Sequence, residues 1–127
     1  MIHIPEDLKY TTDHEWVRID GDTATVGITD YAQQQLGEII YVELPEAGQR
    51  CNAKETMATV ESVKAASDAY APVEGEVLEV NQSAVDNPSL INQSPYEEGW
   101  LVKLRVADLS QIDALLSNEK YAELTKE

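Results

Sequence analysis

Cysteine is nearly missing from this chain. Among 127 residues there is one, Cys51, so no intramolecular disulfide forms and no thiolate metal site can be assembled. Cys51 has no catalytic neighbour in sequence and reads as structural. Histidine is almost as scarce: His3 and His14 are too few and too ill-spaced for a histidine metal site. Carboxylates abound, but without the spacing of a calcium loop. Cations are few. Nine Lys plus Arg stand against 24 Asp plus Glu, a net charge of −15. Non-specific nucleic-acid binding needs clustered cations to neutralise phosphates, so the balance argues against it. It also disfavours an anionic membrane surface. It favours solubility and docking onto partners with basic faces. No apolar run approaches a membrane span. The segment Met1-Ile2-His3-Ile4-Pro5-Glu6-Asp7 lacks a basic region followed by an apolar run, and its acidity argues against a transit peptide. The expected location is the cytoplasm, unless a presequence has already been removed. No Gly-x-Ser-x-Gly elbow and no glycine-rich phosphate loop is present. These absences favour a carrier or interaction module over an enzyme.

What is present is a series of short β-like runs, expected to make one domain over residues 1–127, with a core at about 10–107 and a helical segment at about 108–125. Trp16-Val17-Arg18-Ile19 leads through the turn signal Asp20-Gly21-Asp22 into Thr23 to Ile28, where Ala24, Val26 and Ile28 share a face. Thr29-Asp30 offers a helix N-cap, Tyr31 to Leu36 a short helix, and Gly37 its stop. Glu38 to Leu44 is rich in β-branched residues and predicts a strand. Met57 to Glu61 and Ser67 to Ala71 predict two strands joined by a tight turn. Pro72 and Gly75 suggest a bend, and the alternation slips at Val77-Leu78, as at a bulge. Residues 81–96 read as a loop broken by Asn87-Pro88 and Ser94-Pro95. A last strand is expected over 99–106, with Trp100, Val102, Leu104 and Val106 on one face and Leu101, Lys103 and Arg105 on the other. Ser110 is expected to cap a short helical segment carrying Ile112, Leu115 and Leu116, and Ser117 or Asn118 a second carrying Tyr121 and Leu124. Their apolar residues are expected to pack on the sheets. Many short strands at close intervals predict a sandwich or flattened barrel.

Lys64 stands out. It sits in Glu61-Ser62-Val63-Lys64-Ala65, at the tip of the hairpin between two predicted strands. A solvated turn lysine is one reading. The other is a covalent attachment point, because an exposed amine on a projecting turn is open to a modifying enzyme from several sides. The small neighbours Ala65, Ala66 and Ser67 leave room for it. Glu61 and Asp68 flank the turn and are candidates for guiding a cationic ligase surface.

The segment Glu61-Ser62-Val63-Lys64-Ala65-Ala66-Ser67-Asp68 resembles the lipoylation segment of the glycine cleavage system H-protein family. The resemblance extends along nearly the whole chain, in order. Lys9-Tyr10 and His14-Glu15-Trp16-Val17 resemble the family's N-terminal signature. Gly27 to Ala32, Leu36-Gly37-Glu38 and Val42-Glu43-Leu44-Pro45 resemble its next blocks. Tyr70 to Val77, Val80-Asn81, Leu90 to Tyr96 and Gly99-Trp100 complete it.

The resemblance implies a barrel-sandwich hybrid, mainly β, with short helices and a helical C-terminal segment. It implies lipoate in amide linkage to Lys64 and a non-catalytic carrier of glycine catabolism and one-carbon metabolism. Its partners would be the glycine decarboxylase (P-protein), the aminomethyltransferase (T-protein) and dihydrolipoamide dehydrogenase (L-protein), with a lipoate ligase or a lipoyl or octanoyl transferase to load it. A monomer is the expectation. The aminomethyl cargo is basic and its adduct labile to water, so a cleft with a carboxylate to pair the ammonium would slow its loss. By resemblance the cleft residues are Glu15 first, then Asp13 and Asp68. Family members often carry serine where this chain has Asp13, which adds a charge. A lipoyl relay feeding 2-oxo acid dehydrogenase subunits remains an alternative. Biotin carriers typically place methionine on both sides of the lysine, whereas Val63 and Ala65 stand here.

Overall fold

Among the described residues nine strands form two sheets that share one apolar interior. The computed structural model describes residues 3–125. Met1, Ile2, Lys126 and Glu127, which belong to the N-terminal segment and to the 1–127 span read above, lie outside the described residues.

The larger sheet has the order β1-β2-β3-β9-β8-β5, from Lys9–Tyr10, Glu15–Asp20, Thr23–Ile28, Val102–Val106, Gly75–Val80 and Arg50–Cys51. The smaller has the order β4-β6-β7, from Ile39–Glu43, Thr56–Ser62 and Ala66–Tyr70. All pairs are antiparallel. The expected mainly-β barrel-sandwich architecture is borne out, as two sheets that do not close into a barrel. Val26, Val42, Val60, Ala69, Val77, Val102 and Leu104 meet between the sheets, with Cys51 fully buried among them. A second cluster of Tyr10, Trp16, Tyr96 and Tyr121 lies to one side.

The hairpin at Gly21, the bulge in β8 between Val77 and Glu79, and the Thr29 cap fall where the residue chemistry predicts them. Helix α1 (Asp30–Leu36) begins with Thr29 Oγ1 accepting from the Ala32 amide and ends at Gly37, whose φ of +82° suits a residue without Cβ.

Several expectations are corrected. The segment 81–96 is not a plain loop: it carries α2 (Gln82–Asp86) and α3 (Ser89–Gln93), with Pro88 as the N-cap of α3. The last strand begins at Val102, and Leu101 is fully buried, not on an outer face with Lys103 and Arg105. The chain bends there, with the Leu101 amide donating to the Val26 carbonyl. Asp108, not Ser110, caps the 3-10 helix Leu109–Ala114, its carboxylate accepting from the Ser110 amide. Ser117 does cap α4 (Asn118–Leu124), which buries Tyr121 but leaves Leu124 half exposed.

Candidate functional site

Lys64 lies in the three-residue turn between β6 and β7, and it is exposed. Ser62 builds this turn. Its Oγ donates to the Ala65 carbonyl at 3.1 Å and accepts from the amides of Lys64 and Ala65. The Ser62 amide donates to the same carbonyl at 2.7 Å. The turn is anchored just ahead of β4 by the Val63 amide donating to the Glu38 carbonyl. The Lys64 stem passes over Gly37: a Cβ there would stand 3.8 Å from Lys64 Cε. Asn92, on α3, fixes this junction by donating to the Gly37 carbonyl and the Gln33 side chain while accepting from the Ile39 amide.

Beside the same junction is a cavity of about 290 Å³. One wall is α1, through Tyr31, Ala32, Gln35 and Leu36. The hairpin strands supply Val60, Ser67, Asp68 and Ala69. The turn before β2 supplies Asp13, His14 and Glu15. Of the five carboxylate and amine positions singled out from sequence, Asp13, Glu15 and Asp68 are thus brought together on one cavity. Lys64 lies at the hairpin tip and does not itself line the cavity. Glu61 is half-buried on β6 and does not line the cavity.

Glu15 is the least ordinary of these. It is 1% exposed, and it accepts from the Thr11 hydroxyl at 2.6 Å and from the Tyr70 amide at 3.1 Å. Burial disfavours its charge more than these hydrogen bonds favour it, so its pKa is pushed up to about 7. Asp13 adds repulsion and Lys54 a smaller attraction. Asp13 is exposed and pairs with Lys54 at 3.9 Å. Asp68 is exposed and accepts from the Thr59 hydroxyl at 3.2 Å.

His14 lines the same cavity, a role the sequence reading missed because it weighed histidine only as a metal ligand. It adopts a left-handed backbone, φ +71°, a conformation in which His is enriched among non-glycine residues. This turns the chain so that Asp13, His14 and Glu15 all reach the cavity. Burial lowers the His14 pKa, against a smaller opposing pull from Asp13. Among the described residues no cluster of three or more potential metal ligands occurs, and no helix is long and apolar enough to cross a membrane.

An exposed lysine on a hairpin tip, beside a partly apolar cavity with a buried carboxyl, is an arrangement for holding a tethered group. A family model described as Glycine cleavage H-protein matches residues 8–127. The chain belongs to the glycine cleavage H-protein family. It is similar to a glycine cleavage system H protein from Halothermothrix orenii, 52% identical over 126 residues, covering 99% of this chain and 98% of that one. A crystal structure of a glycine cleavage system H protein from Mycobacterium marinum superposes with a TM-score of 0.87 at 41% identity, covering 94% of this chain and 97% of that one. In this H-protein family member the resemblance read from Lys64 and its surroundings is therefore borne out at the level of family and fold.

Proposed function

We propose that Lys64 carries lipoate in amide linkage and that the cavity beside it shelters the cargo between enzymes. Family membership makes the chain a lipoyl carrier component of the glycine cleavage system. The comparisons favour that role over the lipoyl relay. The observation that carries the site assignment is the exposed Lys64 amine at the tip of the Ser62-braced turn, with the Glu15 cavity next to it.

The residues fit such a group. The turn leaves the amine free of ion pairs among the described residues, because the three salt bridges there use Arg18, Arg50 and Lys54. The cavity offers Val60, Ala69, Ile28 and Leu36 to an apolar chain and Glu15, Asp13 and Asp68 to a cationic end. When attached, lipoate would supply a redox-active disulfide as acceptor for the aminomethyl group of glycine, with the L-protein reoxidising the resulting dithiol. The chain's own residues tether, shelter and release; none performs the bond-breaking step. Tethering replaces diffusion with a high local concentration at each partner. Glu15 pairs with the ammonium of the cargo, and a carboxyl poised near neutrality ionises when a cation arrives beside it. Cargo loss is slowed because buried apolar surface keeps water away. The P-, T- and L-proteins would be served in turn, after loading by a lipoate ligase or transferase for which Glu61 and Asp68 are candidate contacts. We place this carrier in the cytoplasm.

The test is intact mass after incubation with lipoate, ATP and a lipoate ligase of demonstrated activity. The parent is expected to gain one lipoyl adduct, and Lys64→Arg none. The loaded parent, and not the variant, is expected to support glycine-dependent carbon dioxide exchange with a decarboxylase. An unmodified parent, or a K64R chain that still gains the adduct, overturns the assignment. Biotin and octanoate would each be recognised by their own mass.

A further inference from the structure

The C-terminal helix α4 lies away from the hairpin tip, yet one of its side chains joins two walls of the cavity. The Tyr121 hydroxyl is 2.7 Å from His14 Nδ1 and 2.7 Å from Thr29 Oγ1. His14 stands on the cavity's turn wall, and Thr29 caps α1, the opposite wall. The same two residues are tied a second time through the backbone, the Thr29 amide donating to the His14 carbonyl at 3.0 Å. Tyr121 is itself fully buried and stacked on Tyr10 at 4.8 Å. Its hydroxyl is therefore held in place by packing that owes nothing to the cavity.

The direction of the hydrogen bonds follows from counting protons. Thr29 is fully buried, and its Oγ1 already accepts from the Ala32 amide at 3.2 Å. Among the described residues its other partner is the Tyr121 oxygen. A buried hydroxyl proton without an acceptor is costly, so the Thr29 hydroxyl donates to Tyr121. The single Tyr121 proton then goes to His14 Nδ1, which must be bare, and the imidazole proton resides on Nε2.

We propose that Tyr121 is a positioning residue for the cargo cavity: its hydroxyl holds His14 in the Nε2–H tautomer and fixes the Asp13–Glu15 turn against the N-terminus of α1. The groups facing His14 agree with a neutral ring. Tyr31 and Tyr121 pack against it at 4.7 Å and 5.7 Å between centroids. The pull of Asp13 on it opposes a larger burial effect. Burial also raises the Tyr121 pKa, so the phenol keeps the proton it donates. The importance of the cavity to cargo rests on the function proposed above, whereas the tautomer does not.

The test has two arms that fail separately. In the first, nitrogen NMR of the unmodified protein at mildly alkaline pH reads the imidazole tautomer, with His3→Gln assigning the signals. The expected pattern is a pyridine-type Nδ1 and a protonated Nε2 at His14. In Tyr121→Phe, which keeps the stacked ring, the Nδ1 resonance is expected to move and the tautomers to average. In the second, the loaded Y121F chain is expected to lose aminomethyl cargo about three- to tenfold faster, the scale of one hydrogen bond, while Thr29→Ser, which keeps a hydroxyl, behaves as the parent. A proton on Nδ1 in the parent overturns the proposal even where Y121F fails to fold. So does an Nδ1 signal or a cargo-loss rate that Y121F leaves unchanged. Failure to load Lys64 at all would instead strike the proposed function and leave the NMR result standing.

Discussion

Glu15 holds its proton more tightly folded than unfolded, and this has a sign. Its pKa rises from 4.5 to about 7, so its stabilising contribution is complete below the unfolded value. It is lost as pH climbs through about 7. The shift corresponds to about 3–4 kcal/mol at most, using about 1.4 kcal/mol per unit. Glu15→Gln removes the charge but has one acceptor oxygen for two donors, the Thr11 hydroxyl and the Tyr70 amide, so it loses a hydrogen bond at every pH while abolishing the titration. Urea midpoints at acidic and alkaline pH are expected to show the parent losing stability relative to E15Q as pH rises. A constant difference would mean that the carboxyl titrates normally. Once loaded, E15Q should release cargo faster, because an amide gives the ammonium no counter-charge. The sequence named Glu15 only through resemblance; one carboxylate among 24 looks like solvated surface. Its burial depends on Thr11 and on Tyr70, which is 55 residues away. Tyr121 was harder still to see, since its hydroxyl meets a ring 107 residues distant.

Among the elements, the β6–β7 hairpin shows how little local sequence is needed to present a side chain. The turn is held by Ser62, and removing its hydroxyl leaves the Ala65 carbonyl and two amides without that partner. Ser62→Ala is expected to cost about 1 kcal/mol. Amide exchange at Lys64 and Ala65 should quicken well beyond the global change, and the rate of lipoyl attachment should fall. Exchange confined to the global rate would show that the strands alone hold the turn. The long strands β2, β3, β4, β6 and β7 were legible because alternation and turn residues act within a few positions. The two-residue strands β1 and β5 were not, since a pattern needs more length than that to register. Helices α2 and α3 hid behind Asn87-Pro88 and Ser94-Pro95. Those prolines do mark interruptions, but Pro88 stands at the N-cap of α3, within a segment whose pattern predicts a loop. The consequence reaches the site, because Asn92 on α3 fixes Gly37 beneath the lysine.

At the scale of the whole molecule, charge is not balanced by pairing. The described residues contain three salt bridges, Arg18–Glu97, Arg50–Glu74 and Lys54–Asp13. Each includes side chains a third or more exposed, where such a pair contributes about 0–1 kcal/mol. Against a net charge of −15, mutual repulsion should outweigh these attractions in the folded state. The Debye length shrinks from about 30 Å at about 0.01 M salt to about 3 Å at about 1 M. Screening at that range removes long-range repulsion first. The urea midpoint is therefore expected to rise as sodium or potassium chloride is added. Association with a partner presenting a basic face should move the opposite way, its on-rate falling over the same range because the attraction that steers the encounter is screened. Measuring both on one preparation separates the two effects. A midpoint that falls with salt would mean that the few ion pairs dominate. An on-rate indifferent to salt would mean that the acidic surface serves solubility alone and that recognition lies in the apolar contacts around the hairpin.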